Sequence, residues 1–230
     1  MLGEKGVLGP FPMTDNELLN PLIDFPFSQE ELIKKLRSID AVVITHLHPD
    51  HWDSKAIELI GKNVPVLCPD IIVDQITQQG FQNTVPVNTS IHWDNIEIFK
   101  TKGQHGTGEI GEKMWKVNGF VFKTEAKTVY IVGDSIWNKE IADEIHKHKP
   151  DQIIVAGGAA SFSVGDPIIM TAKDIIEVCK YSPEATIWVT HLEALSHCKE
   201  DRNYIQNKIN EKGFEKRCFI LKDGEEVVLL

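Results

Sequence analysis

The order of apolar segments predicts a mixed α/β (α+β) fold in which two sheets pack together and helices cover their outer faces. Short strand-like runs dominate the chain up to about residue 132, and strands then alternate with amphipathic helices. The 230 residues contain no internal repeat, low-complexity tract or linker, and 42% of them are hydrophobic. We therefore expect a single domain over residues 1–230 whose core needs no disulfides.

The first half of the chain combines an irregular start with short strands and helices. Residues 1–27 are rich in glycine and proline and are expected to be irregular. Ser28 and Ser54 are plausible N-caps of two helices. One further helix is predicted at 71–79, and strands are predicted at 41–45, 64–68, 84–87, 91–101, 115–123 and 127–132. The glycine-rich residues 101–112 are expected to form a loop.

The second half alternates strands with helices whose apolar residues recur at helical spacing. Helices are predicted at 141–148, 171–181 and 203–212, and strands at 152–156 and 186–190. Asp223-Gly224 is a good turn signal, so residues 219–221 and 225–229 are expected to form a terminal hairpin. This alternation indicates a second sheet covered by helices.

Composition limits the classes of partner. The formal net charge is −10 and the pI is near 5.4, which disfavours a nucleic-acid surface or binding to anionic membranes. The four cysteines form no CxxC pair, a usage typical of a reducing compartment. No apolar run approaches the roughly 20 residues of a membrane span, and no signal peptide is evident. We expect a cytoplasmic protein.

The strongest functional signal is an apolar strand that runs into three histidines and an aspartate. Alternate side chains of a strand share one face, so His46 and His48 can point at a single ion. A proline then ends the strand, and the following turn can bring Asp50 and His51 to a neighbouring ion. Imidazole and carboxylate groups at this spacing predict a metal site.

Four later polar residues are candidates to complete that site. His105 lies between glycines, which allow the backbone to pass close to a bound ion or substrate. Asp134 and His191 each follow an apolar strand directly, although Asp134 could instead cap a turn or helix. His197 competes with His191 for the last ligand position.

The sequence HLHPDH at residues 46–51 resembles the HxHxDH signature of the metallo-β-lactamase fold superfamily, whose members are mostly metal-dependent hydrolases. The resemblance extends over almost the whole chain, because the remaining ligand positions find counterparts in order. It implies a four-layer αββα sandwich of two mixed sheets with outer helices, and a metal site at one edge. Members usually enter the first sheet through strands that precede this motif, so we expect the first sheet to lack its N-terminal strands.

The resemblance also implies a ligand set for two metal ions. The expected ligands are His46, His48 and His105 for one ion, and Asp50, His51, Asp134 and His191 for the other. Asp134 would bridge the ions, and Asp50 could also orient the nucleophilic water. His197 would then lie beside the ligands or face the substrate. These nitrogen and oxygen donors fit zinc first, with manganese or iron as alternatives.

Three segments are similar to one branch of the superfamily, which contains the ascorbate-6-phosphate lactonase-like and N-acyl-phosphatidylethanolamine phospholipase D-like proteins. They are residues 48–53, 133–135 and 191–194. This likeness implies a dinuclear metal-dependent hydrolase of a small-molecule ester, lactone or phosphoester. Two alternatives stay open, a phosphodiesterase or nuclease on the same fold and a non-catalytic metal- or ligand-binding protein. Relatives in this branch are often oligomers, which leaves a homo-oligomer open.

Overall fold

A computed structural model describes residues 1–229, which contain seven α-helices and ten β-strands. The helices are α1 (Gln29–Leu36), α2 (Ser54–Leu59), α3 (Val73–Gln78), α4 (Gly108–Lys113), α5 (Lys139–His148), α6 (Ala172–Tyr181) and α7 (Arg202–Glu211). The strands are β1 (Val42–Val43), β2 (Val66–Pro69), β3 (Thr84–Val87), β4 (Ser90–Trp93), β5 (Ile96–Lys102), β6 (Asn118–Lys123), β7 (Thr128–Ile131), β8 (Gln152–Ala156), β9 (Thr186–Thr190) and β10 (Cys218–Ile220). Within residues 1–229, no helix is both long and apolar enough to cross a membrane.

The strands form two sheets that differ in size and direction. The smaller sheet has the order β1-β2-β3, and all its strands are parallel. The larger sheet has the order β10-β9-β8-β7-β6-β5-β4, in which β7 to β10 are parallel and β4 to β7 alternate in direction. Consequently β5, β7, β8 and β9 run in the same direction, and their carboxyl ends lie at one edge of the sheet.

Apolar clusters on both sides of each sheet produce four layers. Between the sheets, Leu67 and Val87 of the smaller sheet pack with Ile98 and Phe120 of the larger one. On the outer face of the larger sheet, α5, α6 and α7 share a second cluster with its strands. A third cluster joins α2 and α3 to the smaller sheet. The predicted αββα sandwich is confirmed, and burial of these faces stabilises it by about 25 cal/mol for each Å² of apolar surface removed from water.

The N-cap side chains of α1 and α2 determine where these two helices begin. Ser28 caps α1 as predicted, and Glu31 completes a capping box by accepting the Ser28 N–H at 2.9 Å. The prediction that Ser54 caps α2 is wrong, because Asp53 is the N-cap and its Oδ1 accepts from the Ala56 N–H at 2.8 Å. A carboxylate is a stronger acceptor than a hydroxyl and is favoured at the positive end of the helix dipole.

The predicted loop at residues 101–112 contains a helix, α4. Its glycines gave a loop signal, but one of them is needed for packing. A Cβ on Gly111 would lie 2.8 Å from the Gly106 carbonyl oxygen, so the helix requires glycine there to approach the preceding turn. The predicted strand at 115–123 begins three residues later than expected, at Asn118.

The predicted terminal hairpin is also wrong. β10 pairs in parallel with β9, with Cys218 beside Ile187, and residues 221–229 contain no strand. Both Cys218 and Ile187 are at most 1% exposed. Pairing with β9 buries Cys218, whereas residues 222–228 stay exposed and bury no apolar surface that would stabilise a further strand.

Candidate metal centre

The candidate ligands meet at the edge where several strands end. The residues that follow β5, β7 and β9 include His105, Asp134 and His191. Because these strands run in the same direction, their following residues reach one edge of the larger sheet. The motif after β1 adds the other four residues. All seven candidate ligands fall into two groups, which are His46, His48 and His105, and Asp50, His51, Asp134 and His191.

The first group contains only imidazoles, and its three ligand atoms lie within 4.8 Å of one another. His105 Nδ1 donates to the Ile168 carbonyl at 2.9 Å. His46 Nδ1 lies 3.0 Å from the Thr45 hydroxyl. A hydrogen bond at Nδ1 orients the ring and leaves Nε2 as the coordinating nitrogen. His48 completes the group from the same strand end as His46.

The second group is arranged around Asp134, which is 2% exposed. Asp134 Oδ2 lies 3.1 Å from His51 Nε2 and 3.5 Å from His191 Nε2. The same oxygen lies 3.8 Å from His46 Nε2 and 3.9 Å from His105 Nε2. One carboxylate therefore touches both groups, as expected of a residue that would bridge two ions.

Burial keeps the first group neutral. Burial, together with the nearby His51, lowers the pKa of His46 to about 2. It also lowers the pKa of His48 to about 4 and that of His105 below its ordinary value. A neutral imidazole has a free lone pair, so at neutral pH these rings are ready to bind a metal ion.

The second group carries charge. Burial alone would raise the pKa values of Asp50 and Asp134, but the neighbouring imidazoles lower both. His191 Nε2 donates to Asp50 Oδ2 at 3.2 Å, and burial of this ring is outweighed by the two carboxylates, which raise its pKa well above the ordinary value. A divalent cation can replace the imidazolium proton between these carboxylates.

Two buried atoms support a metal at this place. Among the described residues, His46 Nε2 and Asp134 Oδ1 are buried and have no hydrogen-bond partner. A buried polar atom without a partner costs roughly 1–3 kcal/mol, so such atoms usually bind something. They belong to different groups, and their nitrogen and oxygen donors suit divalent ions. The residues therefore fit the expected metal ions.

The backbone has unusual conformations at one candidate ligand and at the residue before another. Gly133 has a φ of 74°, and a Cβ there would lie 2.5 Å from the Asn118 carbonyl oxygen, so only glycine allows β7 to deliver Asp134. His191 itself has a φ of 58°, which is uncommon for a residue with a side chain. Cys198 Sγ lies 3.7 Å from His191 Nδ1 and helps to hold the ring in place. Strain of this kind is often found at functional sites.

His197 belongs to neither group. It is 6% exposed, its ring centroid lies 6.0 Å from that of His191, and its Nδ1 has no partner among the described residues. Burial, together with the charge of His191, lowers the pKa of His197 to about 4. His197 instead lines the cleft above the ligands. This geometry favours His191 over His197 as the last ligand.

Sequence reasoning gave no role to several residues that shape the site. Asp53 Oδ2 accepts from the Leu2 and Gly3 N–H groups at 2.9 and 2.6 Å, so the carboxylate that caps α2 also ties residues 1–27 to the metal motif. Its position directly after the motif is a usable signal. Phe11 and Phe162 line the cleft, but single phenylalanines in irregular segments give no such signal.

Comparisons with known proteins agree with the superfamily resemblance of the sequence. A profile of the Beta-lactamase superfamily domain matches residues 15–192. The chain is 37% identical to the UPF0173 protein YddR of Bacillus subtilis (strain 168), over 98% of this chain and 89% of that protein. It is similar to the crystal structure of isothiocyanate hydrolase from Delia radicum gut bacteria, with 32% identity, a TM-score of 0.90, and coverage of 98% and 88%. A possible metal-dependent hydrolase from Veillonella parvula DSM 2008 matches with 30% identity, a TM-score of 0.91, and coverage of 97% and 88%.

The superfamily match spans every candidate ligand, from His46 to His191. Several relatives are named metal-dependent hydrolases. The superfamily resemblance is thus confirmed, whereas the nearer likeness to the ascorbate-6-phosphate lactonase-like branch stays a prediction. The chain belongs to the β-lactamase superfamily and is one of its metal-dependent hydrolases.

Proposed function

We propose that this protein hydrolyses a small, uncharged molecule at an electrophilic carbon, using two divalent metal ions held by the seven candidate ligands. The observation that carries the proposal is the convergence of both groups on Asp134. Its Oδ2 lies between 3.1 and 3.9 Å from the Nε2 atoms of four histidines. A carboxylate so placed is suited to bridge two ions, and paired ions suit hydrolysis.

When bound, the two ions would lower the pKa of a shared water toward neutrality and polarise the bond under attack. Asp50 lines the cleft and can accept a hydrogen bond from the attacking water, which orients it, in addition to its role as a ligand. His197 lines the same cleft and can donate an N–H to the substrate heteroatom on which negative charge develops. We therefore propose Asp50 and His197 as the catalytic residues, because Asp50 would contact the attacking water and His197 the substrate.

Two substrate classes have the required electrophilic carbon. In an isothiocyanate, the water oxygen forms a C–O bond at the central carbon, the C=N π electrons move to nitrogen, and that nitrogen takes a proton from the water. The remaining O–H proton then moves to nitrogen as the C–N bond breaks, which releases an amine and carbonyl sulfide. In a lactone or ester, the water oxygen bonds to the acyl carbon, the acyl C–O bond breaks, and the leaving oxygen takes the proton. The similar isothiocyanate hydrolase supports the first class, and the branch resemblance of residues 48–53 supports the second.

Charged phosphoesters rank below these substrates. No residue that lines the cleft within the described part of the chain is a lysine or an arginine. Proteins that select phosphate groups usually supply such cations. A phosphodiester or nucleic acid would therefore depend on the metal ions alone for its binding charge.

The test combines metal analysis with a substrate panel. Protein purified without chelator is analysed for metal and loaded with zinc, manganese or iron(II). It is then assayed with benzyl isothiocyanate, γ- and δ-lactones, a phosphomonoester and bis(p-nitrophenyl) phosphate. We expect about two divalent ions per chain and turnover of an isothiocyanate or lactone that a chelator abolishes.

Three other outcomes would change the proposal. An absence of metal after reconstitution would contradict the mechanism. Hydrolysis restricted to the phosphodiester would favour the phosphodiesterase alternative. A full complement of metal without hydrolysis of any substrate would favour a metal- or ligand-binding protein.

A further inference from the structure

The cleft above the ligands has a polar floor and apolar walls. Its volume is about 230 Å³, below the roughly 300 Å³ at which pockets for drug-sized ligands begin. Its floor is lined by four of the seven candidate ligands, which are His48, Asp50, His105 and Asp134. The walls are formed by Phe11, Pro12, Met13, Met114, Phe162 and Ile168. A small molecule whose reactive carbon lies on the floor would therefore place the rest of its structure against apolar side chains.

Residues 1–27 supply half of these wall residues and are held firmly in place. The Met13 carbonyl accepts from both the N–H and the hydroxyl of Ser163, at 2.8 and 2.9 Å. Asn20 is fully buried, and its side chain exchanges two hydrogen bonds with Ser196, at 2.8 and 3.1 Å. The wall is thus preorganised, so binding a ligand there costs little ordering entropy.

Two phenyl rings lie beside His197, a polar residue that also lines the cleft. The Phe11 ring meets the His197 ring edge-on, with centroids 4.7 Å apart and planes at 80°. The Phe162 ring is stacked with the His197 ring, with centroids 6.3 Å apart and planes at 27°. Both phenylalanines are only partly buried by the protein, so each has apolar surface left for a ligand. Burying that surface would favour binding by about 25 cal/mol for each Å².

We infer that the substrate carries an apolar alkyl or aryl substituent, and that Phe11 and Phe162 bind this substituent and determine specificity for it. The inference rests on the proposed function, since it places the reactive carbon over the metal ligands. It adds what that function leaves open, namely the chemistry of the part of the substrate that does not react.

The test measures binding of two hydroxamates that share a metal-binding group and differ in their tails. Acetohydroxamate has one methyl group, whereas hexanohydroxamate has four additional methylenes. Their Kd values for zinc-loaded protein are measured by calorimetry, after the metal content has been determined. For wild type we expect hexanohydroxamate to bind at least about tenfold more tightly, since a fully buried methylene contributes about 0.8 kcal/mol.

Matched variants test whether Phe11 and Phe162 cause the preference for the longer tail. In Phe11→Ala and Phe162→Ala the ratio of the two Kd values should fall to within about threefold of one. In Leu18→Ala and Val164→Ala, which replace exposed apolar residues outside the cleft, the ratio should stay as in wild type. Phe11→Leu and Phe162→Leu preserve an apolar wall and should retain part of the preference, which covers the case in which an alanine variant fails to fold.

The proposed function and the inference about the apolar substituent are contradicted by different results. If the zinc-loaded protein holds no metal, the proposed function is contradicted and this inference falls with it. If metal is retained but wild type binds both hydroxamates equally, or if the phenylalanine variants keep the full preference, only this inference is contradicted.

Discussion

The two ligand groups differ in charge. The first contains three imidazoles that burial keeps neutral, with the pKa of His46 lowered to about 2 and that of His48 to about 4. The second contains two carboxylates whose pKa values are lowered by neighbouring imidazoles, while that of His191 is raised. One group therefore offers uncharged nitrogen donors, and the other offers negative charge that attracts a cation.

From this difference we predict different metal preferences for the two proposed positions. Neutral imidazoles suit zinc and similar ions, whereas carboxylate oxygens also accept harder ions such as manganese. Asp134 touches both groups, so the positions are expected to be coupled despite their different chemistry. Five substitutions test this comparison.

The largest effect is expected at the residue that the groups share. Asp134→Ala should remove one metal ion per chain and lower kcat/KM by about 10,000-fold, because residues that act as a unit in catalysis fail together. Metal analysis and kinetics check this result. Asp143→Ala, which removes an exposed carboxylate on α5, is the control and should change neither quantity. An Asp134→Ala protein that retains two ions would contradict the bridging role.

The next largest effects should separate the groups. His48→Ala should empty the first position and His191→Ala the second, each leaving about one ion and lowering kcat/KM by about 1,000-fold. Metal content measured after zinc or manganese loading shows which ion stays, and we expect the His48→Ala variant to hold manganese better than the His191→Ala variant. His92→Ala, at an exposed histidine on β4, should behave as wild type. Identical ion preferences in both ligand variants would refute the proposed difference.

A smaller effect should separate a ligand from a residue that faces the substrate. His197→Ala should keep both ions but lower kcat by about 100-fold, as expected for loss of a positioned hydrogen-bond donor or acid. Metal analysis beside single-turnover kinetics checks both parts. Loss of an ion from the His197→Ala protein would show instead that His197 is a ligand.

The smallest effect should come from the thiol beside His191. Cys198 Sγ lies 3.7 Å from His191 Nδ1, so Cys198→Ala should weaken binding of the second ion by about tenfold. Titration with a competing chelator should show that the first ion binds as in wild type. An equal loss at both positions would mean that the substitution disturbs the whole edge. Cys68→Ala, at a buried thiol outside the ligand groups, is the matched control for removal of a cysteine.

Some features follow from short stretches of sequence because the physics that produces them is local. Ser28 and Glu31 form the expected capping box three residues apart. His46 and His48 come together as their spacing predicts, with ring centroids 4.6 Å apart, although β1 already ends at Val43. The Gly133–Asp134 step follows an apolar strand and reaches the site because only glycine fits at that turn.

Other features depend on contacts between distant segments. β10 pairs with β9 and buries Cys218 there, whereas residues 222–228, which include most of the expected partner strand, stay exposed. The choice between His191 and His197 could not be made from their order in the chain. It depends on which ring reaches Asp50 and Asp134, which lie more than 50 residues before either histidine.

Residue types and their spacing were enough to predict a mixed α/β fold and a metal site, and the resemblance carried by residues 46–51 added the αββα sandwich and the superfamily. Folding was needed to show which imidazoles meet at Asp134, which of them are neutral, and which apolar side chains line the cleft. Phe11 and Phe162 lie about 150 positions apart, and only folding brings both rings beside His197. Burial and proximity set both the pKa values and the apolar wall, and neither can be read from a local stretch of the chain.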